Sequence, residues 1–345
     1  MTAWVAVAAA FVVALGLTRR FLSPDSRLHV LDHPNERSLH SAPVPRSGGV
    51  AVVAGIVVAA SIAAVGGALP VGLAWIAAGG ALLVAVGVVD DRRGLGAGWR
   101  LAAQVLAAGL AVAGGLRFGP IAVPGAVFEP GAALGVAVTV LFAVWFVNLY
   151  NFMDGMDGFA GGMAVFGFGG LAALGALGHA PGFAALNAVV AAAAGGFLIY
   201  NFPPARIFLG DAGAPVLGYL AAASSLWGVR AGLFAIWVPV LIFSPFIADA
   251  TVTLARRALR GERVWRAHRS HYYQRLVQLG WGHRRTVLAE YGLMAAAVAS
   301  ALGSRGMGVG WQWGLIGVWL AGYGLVFAGI EVLERRRGLK TAGLK

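Results

Sequence analysis

The chain has 345 residues, 59% of them hydrophobic and 12% charged, with no cysteine and a formal charge of +12. A mean hydropathy of +0.79 lies far outside the range of soluble domains. These values exclude a soluble enzyme, a disulfide-stapled domain and a thiolate metal centre, and leave carboxylates and imidazoles to hold any metal, with a hard cation such as magnesium first in line. The positive charge is not read as nucleic-acid binding, because in a membrane protein the placement of Lys and Arg matters more than their sum.

A bilayer-spanning helix needs roughly 20 mostly apolar residues. Eleven runs qualify: Thr2 to Leu17, Gly48 to Leu69, Val71 to Val89, Leu101 to Leu116, Ala132 to Val147, Met163 to Leu177, Phe183 to Tyr200, Ala212 to Gly228, Leu233 to Thr253, Val287 to Gly303 and Trp311 to Leu333. The first has no basic residue before it and no small-residue cleavage site after it, so it reads as a retained helix and not a signal peptide. The expected fold is an all-α polytopic membrane protein, one integral membrane domain over residues 1–345.

Of the 26 Lys and Arg residues, 23 fall in one alternate set of connections, about 18–47, 90–100, 148–162, 201–211 and 254–286, together with the C-terminal tail. Only Arg117, Arg230 and Arg305 lie on the other side. The positive-inside rule then puts the N-terminus in the periplasm and the C-terminus in the cytoplasm. The acidic residues played no part in that assignment, yet 13 of 14 share the cytoplasmic side, Glu129 being the exception. Chemistry is therefore expected on the cytoplasmic face of the membrane.

Five cytoplasmic segments carry polar residues that are costly near lipid. The first runs from Asp32 through Arg37, His40 and Arg46 to Gly48-Gly49. As a functional unit it reads as an anion-binding loop, with arginine forks and a glycine-opened helix start; the plain alternative is a proline-punctuated connector. In the second, Asp90-Asp91 repel one another, which leaves one available as a base unless a cation or arginine neutralises both. The third, Asn148 to Gly162, holds Asn148, Asn151, Asp154 and Asp157, each Asp followed by Gly, and reads as a folded polar loop. The fourth, from Asn201 through Pro203-Pro204 to Gly210-Asp211, offers Asp211 as a cation ligand or an N-cap. The fifth contains His268, Arg269, His271 and, later, His283. His268 and His271, at i and i+3, share a helix face, and the interleaved arginines favour phosphate over metal. Asp249 is a further candidate without an assigned role.

Together the segments Asp32-x-Pro34-x-x-Arg37-x-x-His40, Pro45-Arg46-x-Gly48-Gly49, Asp90-Asp91, Asn148-x-x-Asn151-x-x-Asp154-Gly155-x-Asp157-Gly158, Asn201-Phe202-Pro203-Pro204-Ala205-x-x-Phe208-x-Gly210-Asp211 and His268-x-x-His271 resemble the polyprenyl-phosphate N-acetylhexosamine-1-phosphate transferases. That family includes the translocase making the first lipid-linked peptidoglycan precursor and the initiators of O-antigen, common-antigen and teichoic-acid synthesis. The resemblance implies that undecaprenyl phosphate attacks the β-phosphorus of a UDP-N-acetylhexosamine, giving a lipid diphosphate sugar and UMP. It implies Mg2+, replaceable by Mn2+, held by Asp211 and Asp91. Asp90 or Asp91 would deprotonate or position the lipid phosphate. The nucleotide would be gripped by Asn148, Asn151, Asp154, Asp157 and Asn201, and the phosphates or sugar by Arg37, His40, Arg46, His268, Arg269 and His271. Direct attack is favoured over a phospho-aspartate, since a phosphate dianion is already a competent nucleophile. The resemblance is also compatible with a homodimer in the bilayer.

The His268 to Arg275 stretch lacks the His-x-His-His arrangement of common-antigen and teichoic-acid initiators and is closer to O-antigen enzymes using 6-deoxy sugars. That puts QuiNAc or FucNAc slightly ahead of GlcNAc. The competing class is a transporter of nucleotide sugars or lipid-linked sugars, for which intramembrane carboxylates would line a path.

Overall fold

The computed structural model describes residues 2–34, 38–65, 71–264 and 268–337, so Arg37, in the first motif, lies outside the described residues. Apolar sequence folds here almost wholly into helices, the form that satisfies every backbone polar group inside its own segment. In chain order they are α1 (Thr2–Phe21), α2 (Gly48–Val65), α3 (Val71–Arg93), α4 (Ala97–Ala113), α5 (Gly131–Met153), α6 (Phe159–Leu177), α7 (Pro181–Asn201), α8 (Ala214–Arg230), α9 (Trp237–Ile242), α10 (Ser244–Leu259), α11 (Tyr272–Leu276), α12 (Gly282–Gly303) and α13 (Val309–Arg336). Two small antiparallel hairpins complete the set: β1 (Leu31–Asp32) with β2 (Val44–Pro45), and β3 (Ile121–Val123) with β4 (Ala126–Phe128).

Among the described residues, seven helical stretches are long and apolar enough to cross a membrane, four of them α1, α5, α6 and α7. Each of the eleven expected spans coincides with a helical unit, and the ninth is broken: α9 stops at Ile242, Phe243 leaves helical geometry, and α10 restarts at Ser244-Pro245. Pro245 has no N–H to give and its ring would clash with the preceding turn, which accounts for the interruption.

Helix α1 packs against α2 and α7, α6 against α7 and α12, α5 against α8, and α3 against α4. Small residues allow these approaches; Ala6, Ala10 and Ala14 of α1 are buried in the main core. A second core joins Ile76 and Leu83 of α3 to Ala107 of α4 and Tyr219 of α8. A third, separate cluster sits under the last connection, where Tyr272, Leu276 and Leu279 meet Ile330 and Phe327 of α13.

Three expected loops are largely helical. Helix α3 runs on to Arg93, so Asp90 and Asp91 occupy its last turn. Helix α5 continues to Met153, placing Asn148 and Asn151 on a helix and shortening the loop to residues 154–158. Asn148 sustains that helix by donating to Val144 O (2.8 Å), while also donating to Gln104 Oε1 of α4 (2.7 Å). In the last connection α10 extends to Leu259 and α11 begins at Tyr272.

Candidate active site

The ends of α5 and α7, the starts of α4 and α12, the segments leading into α8 and α11 with α11 itself, and the β1–β2 hairpin meet at one end of the bundle. They enclose a cleft of about 340 Å³. Its wall includes Asp32, His40, Arg46, Arg100, Asn151, Asp154, Asp157, Asn201, Asp211, His268, His271 and His283.

One wall is stitched by backbone. Gly48 and Gly49 N–H donate to Phe208 O (2.9 Å) and Leu209 O (2.7 Å), and Phe208 N–H returns a bond to Pro45 O (2.7 Å). These amides are consumed, so the expected anion-binding helix start at Gly48-Gly49 does not form. The glycines serve close approach instead: a Cβ on Gly49 would lie 2.3 Å from Gly213 Cα. Gly210, at φ 74°, makes the turn that aims Asp211, and a Cβ there would strike Arg46 O at 2.1 Å.

Asp91 anchors this wall. Its Oδ1 accepts from Asp211 N–H (3.1 Å), its Oδ2 from Ala212 N–H (3.1 Å), and Arg46 Nε lies 3.1 Å from Oδ1. Arg46 also donates to Asp91 O (2.8 Å) and pairs with Asp32 (3.3 Å), which in turn lies 3.6 Å from His40 Nε2. Asp90 faces away, into a smaller hollow shared with Leu83, Val86, Gln104, Asn151, Asp211 and Pro215. Its Oδ1 accepts from Leu95 N–H (2.5 Å); its buried Oδ2 has no hydrogen bond and only Arg100 at 3.5 Å.

The floor is the turn after α5. Asp157 Oδ2 accepts from Ala205 N–H (2.9 Å) and its Oδ1 lies 3.0 Å from His283 Nδ1, tying the turn to the α7–α8 connection and to α12. Asn201 Oδ1 accepts from Gly158 N–H (3.0 Å) and its amide donates to Ile207 O (2.8 Å). Asn201 is thus committed to holding two loops together, and Asn148, committed to Gln104, is not in the cleft wall. Burial, followed by the negative charges of Asp211 and Asp91 and, more weakly, Asp32, pushes the Asp154 carboxyl well above the usual carboxylate range. Several carboxylates forced together at a polar cleft suit a hard divalent cation. Among the described residues no three His, Asp or Glu side chains form a ready-made metal site.

The opposite wall carries the histidines. His268 and His271 precede α11 and do not share a helix face as expected, since His271 is extended (φ −61°, ψ 149°); their rings nevertheless lie 4.8 Å apart. Burial, then the neighbouring His271 and Arg257, hold His268 down to about 3, so it is neutral at working pH. Arg269 is exposed and outside the cleft wall. Sequence reasoning missed Arg100, Phe152, Gln274 and Val264, which line the cleft without belonging to a quoted motif, and His283, which it mentioned without a role.

A family model described as glycosyl transferase family 4 matches residues 73–229. Over 294 residues the chain is 33% identical to a probable undecaprenyl-phosphate N-acetylglucosaminyl 1-phosphate transferase of Bacillus subtilis, covering 83% of this chain and 81% of that protein. It is 32% identical over 315 residues to a decaprenyl-phosphate N-acetylglucosaminephosphotransferase of Mycobacterium tuberculosis, covering 80% and 77%. To an undecaprenyl-phosphate alpha-N-acetylglucosaminyl 1-phosphate transferase of Yersinia pestis it is 27% identical, covering 81% and 78%. The match extends well beyond the cleft motifs in each case, and the chain belongs to the polyprenyl-phosphate N-acetylhexosamine-1-phosphate transferases of glycosyl transferase family 4.

Proposed function

We propose that this protein transfers N-acetylglucosamine 1-phosphate from UDP-N-acetylglucosamine to undecaprenyl phosphate, releasing UMP, as the initiating step of a cell-envelope polysaccharide such as O-antigen. It does so in eleven crossings of a bacterial cytoplasmic membrane, with the cleft on the cytoplasmic face. The observation that carries this reading is the convergence in one cleft of Asp154 and Asp211 with Arg46 and Arg100. Phosphoryl transfer asks for that combination, carboxylates for a cation and basic groups for phosphates, with little covalent work left to the protein. The polar lining stops at one end of the bundle, which favours one-sided chemistry over passage. The relatives at 33% and 32% identity are named for N-acetylglucosamine, which supports that sugar and weighs against the 6-deoxy preference drawn from His268 to Arg275.

The geometry supports distinct roles for the acids. Asp211, aimed by Gly210, and Asp154 would hold Mg2+, or Mn2+ in its place. When bound, the cation neutralises the diphosphate and stabilises the departing UMP. Asp91 has both carboxylate oxygens on backbone amides and acts by fixing Asp211. Asp90 retains an oxygen without a hydrogen bond beside Arg100, and takes a proton from, or positions, the lipid phosphate. An oxygen of the lipid phosphate then attacks the β-phosphorus, and the bond from that phosphorus to the oxygen bridging to the α-phosphate breaks, so that UMP leaves with the bridging oxygen. Purified protein with undecaprenyl phosphate, Mg2+ and a panel of UDP sugars should release UMP most rapidly with UDP-N-acetylglucosamine. Faster release with UDP-QuiNAc or UDP-FucNAc would restore the 6-deoxy assignment, and no release with any sugar, while labelled sugar enters proteoliposomes, would establish the transporter.

A further inference from the structure

Asp249 is 5% exposed and lies at the inner edge of α10, behind the histidine wall. Its Oδ1 accepts from Tyr272 N–H (2.9 Å) and Thr253 Oγ1 (3.0 Å) and lies 3.2 Å from His271 Nδ1; its Oδ2 accepts from Tyr273 N–H (2.9 Å). A helix cap alone would engage amides. Here the same carboxylate also holds an imidazole that is itself 2% exposed. The ring is further confined by stacking on Tyr273 (5.9 Å between centroids, 17° between planes) and Phe152 (6.3 Å, 26°). The His271 N–H is taken by Gln274 Oε1 (3.2 Å), so the residue has little freedom to turn. The Gln274 backbone N–H also points at the His271 side chain, closing a reciprocal cap, but a bare Nδ1 would set its lone pair against the Asp249 oxygen at 3.2 Å. An ionised carboxylate only accepts, and as the charged partner it places the proton of a neutral His271 on Nδ1.

We infer that Asp249 is a positioning residue which fixes His271 as the Nδ1–H tautomer and so presents a bare Nε2 to the cleft, as acceptor for a hydroxyl or N–H group of the bound nucleotide sugar. The ligand rests on the function proposed above; the tautomer does not. Protein carrying 15N-labelled histidine in nanodiscs reads the tautomer at pH 8 from its ring nitrogen shifts, with the His271 signals identified by their loss in His271→Gln. The wild type should show His271 as Nδ1–H, and Asp249→Asn should shift it towards Nε2–H. Asp249→Asn should also lower kcat/KM for the UDP sugar about ten- to a hundredfold, the range for removing a carboxylate that orients a functional imidazole, and add no further loss on a His271→Gln background. An Nε2–H tautomer in the wild type, or an unchanged spectrum in Asp249→Asn, would overturn the inference. If Asp249→Asn does not fold, the wild-type spectrum decides alone. A protein without transferase activity but with the expected spectrum would refute the proposed function and leave the Asp249–His271 pair intact.

Discussion

The two walls of the cleft share one device, a buried Asp on two successive amides, and differ in what ties them to the rest of the fold. The carboxylate wall, from α2, α3 and the start of α8, is held by amide-to-carbonyl bonds, by Asp91 on the amides of Asp211 and Ala212, and by glycines that let backbones touch. In the histidine wall Asp249 likewise takes two successive amides, of Tyr272 and Tyr273, but the bonds to the neighbouring helix α13 are made by side chains. Tyr272 stacks on Phe327 of α13 (4.0 Å, 22°) and donates to Glu331 (3.0 Å). Arg256 pairs with Glu331, and Arg275 Nε donates to Glu334 (2.7 Å). Backbone stitching fixes atoms where a cation and a diphosphate must be placed; the opposite wall hangs from the peripheral α13 through side chains.

That contrast can be broken most severely at Asp211. Asp211→Asn should cut UMP release by at least about 10²- to 10³-fold, the scale of losing one preorganised charge partner of the transition state, with the elution profile unchanged. Near-normal release would remove Asp211 from its role. Next comes Gly49→Ala, which drives a methyl into Gly213 and should cost about 1–3 kcal/mol of stability, as overpacking does. It should lower Tm in detergent and activity together; an unchanged Tm would mean that the backbone stitching is not what holds this wall.

The clamp should respond differently. Its pairs are partly exposed and each is worth about 0–1 kcal/mol. Glu331→Gln with Glu334→Gln should therefore barely move Tm, yet raise the KM for the UDP sugar several-fold with a smaller change in kcat. The exchange Arg275→Glu with Glu334→Arg should recover part of that loss. Equal falls in Tm and kcat would make both walls the same kind of structure. Smallest of all, His268→Gln should leave the shape of the pH–rate profile between pH 6 and 8 intact, because His268 carries no charge there. A limb lost with His268 would show that it titrates in that range.

What was readable in advance followed the physics of each signal. Apolar runs marked the long helices, because lipid-facing and buried faces both demand it, but not the short α11, and motif residues far apart in the chain, such as Asp91 and Asp211, met in the fold. Helix ends were misjudged where polar residues looked like loop: Asn148 and Asn151 stay helical, Asn148 finding partners in Val144 and Gln104. Gly48-Gly49 looked like a phosphate cradle because the sequence does not say where an amide's partner comes from; here it comes from Phe208 and Leu209. The α13 clamp was invisible, since Glu331 and Glu334 sit at a helix end where charges normally serve only as anchors. Asp249 had no readable purpose until the chain brought Tyr272 and His271 to it.

The central claim is that the group moved is a sugar 1-phosphate, from the nucleotide to the lipid. It is tested most directly with UDP-N-acetylglucosamine labelled with 32P at the α- or the β-phosphate, incubated with the protein, undecaprenyl phosphate and Mg2+, then partitioned between water and organic solvent. The β-label should pass into the lipid phase and the α-label stay in water as UMP, both dependent on Mg2+ and both lost in Asp211→Asn. Retention of both labels in the aqueous phase, or sugar reaching the lipid while both phosphates remain together as UDP, would contradict the account.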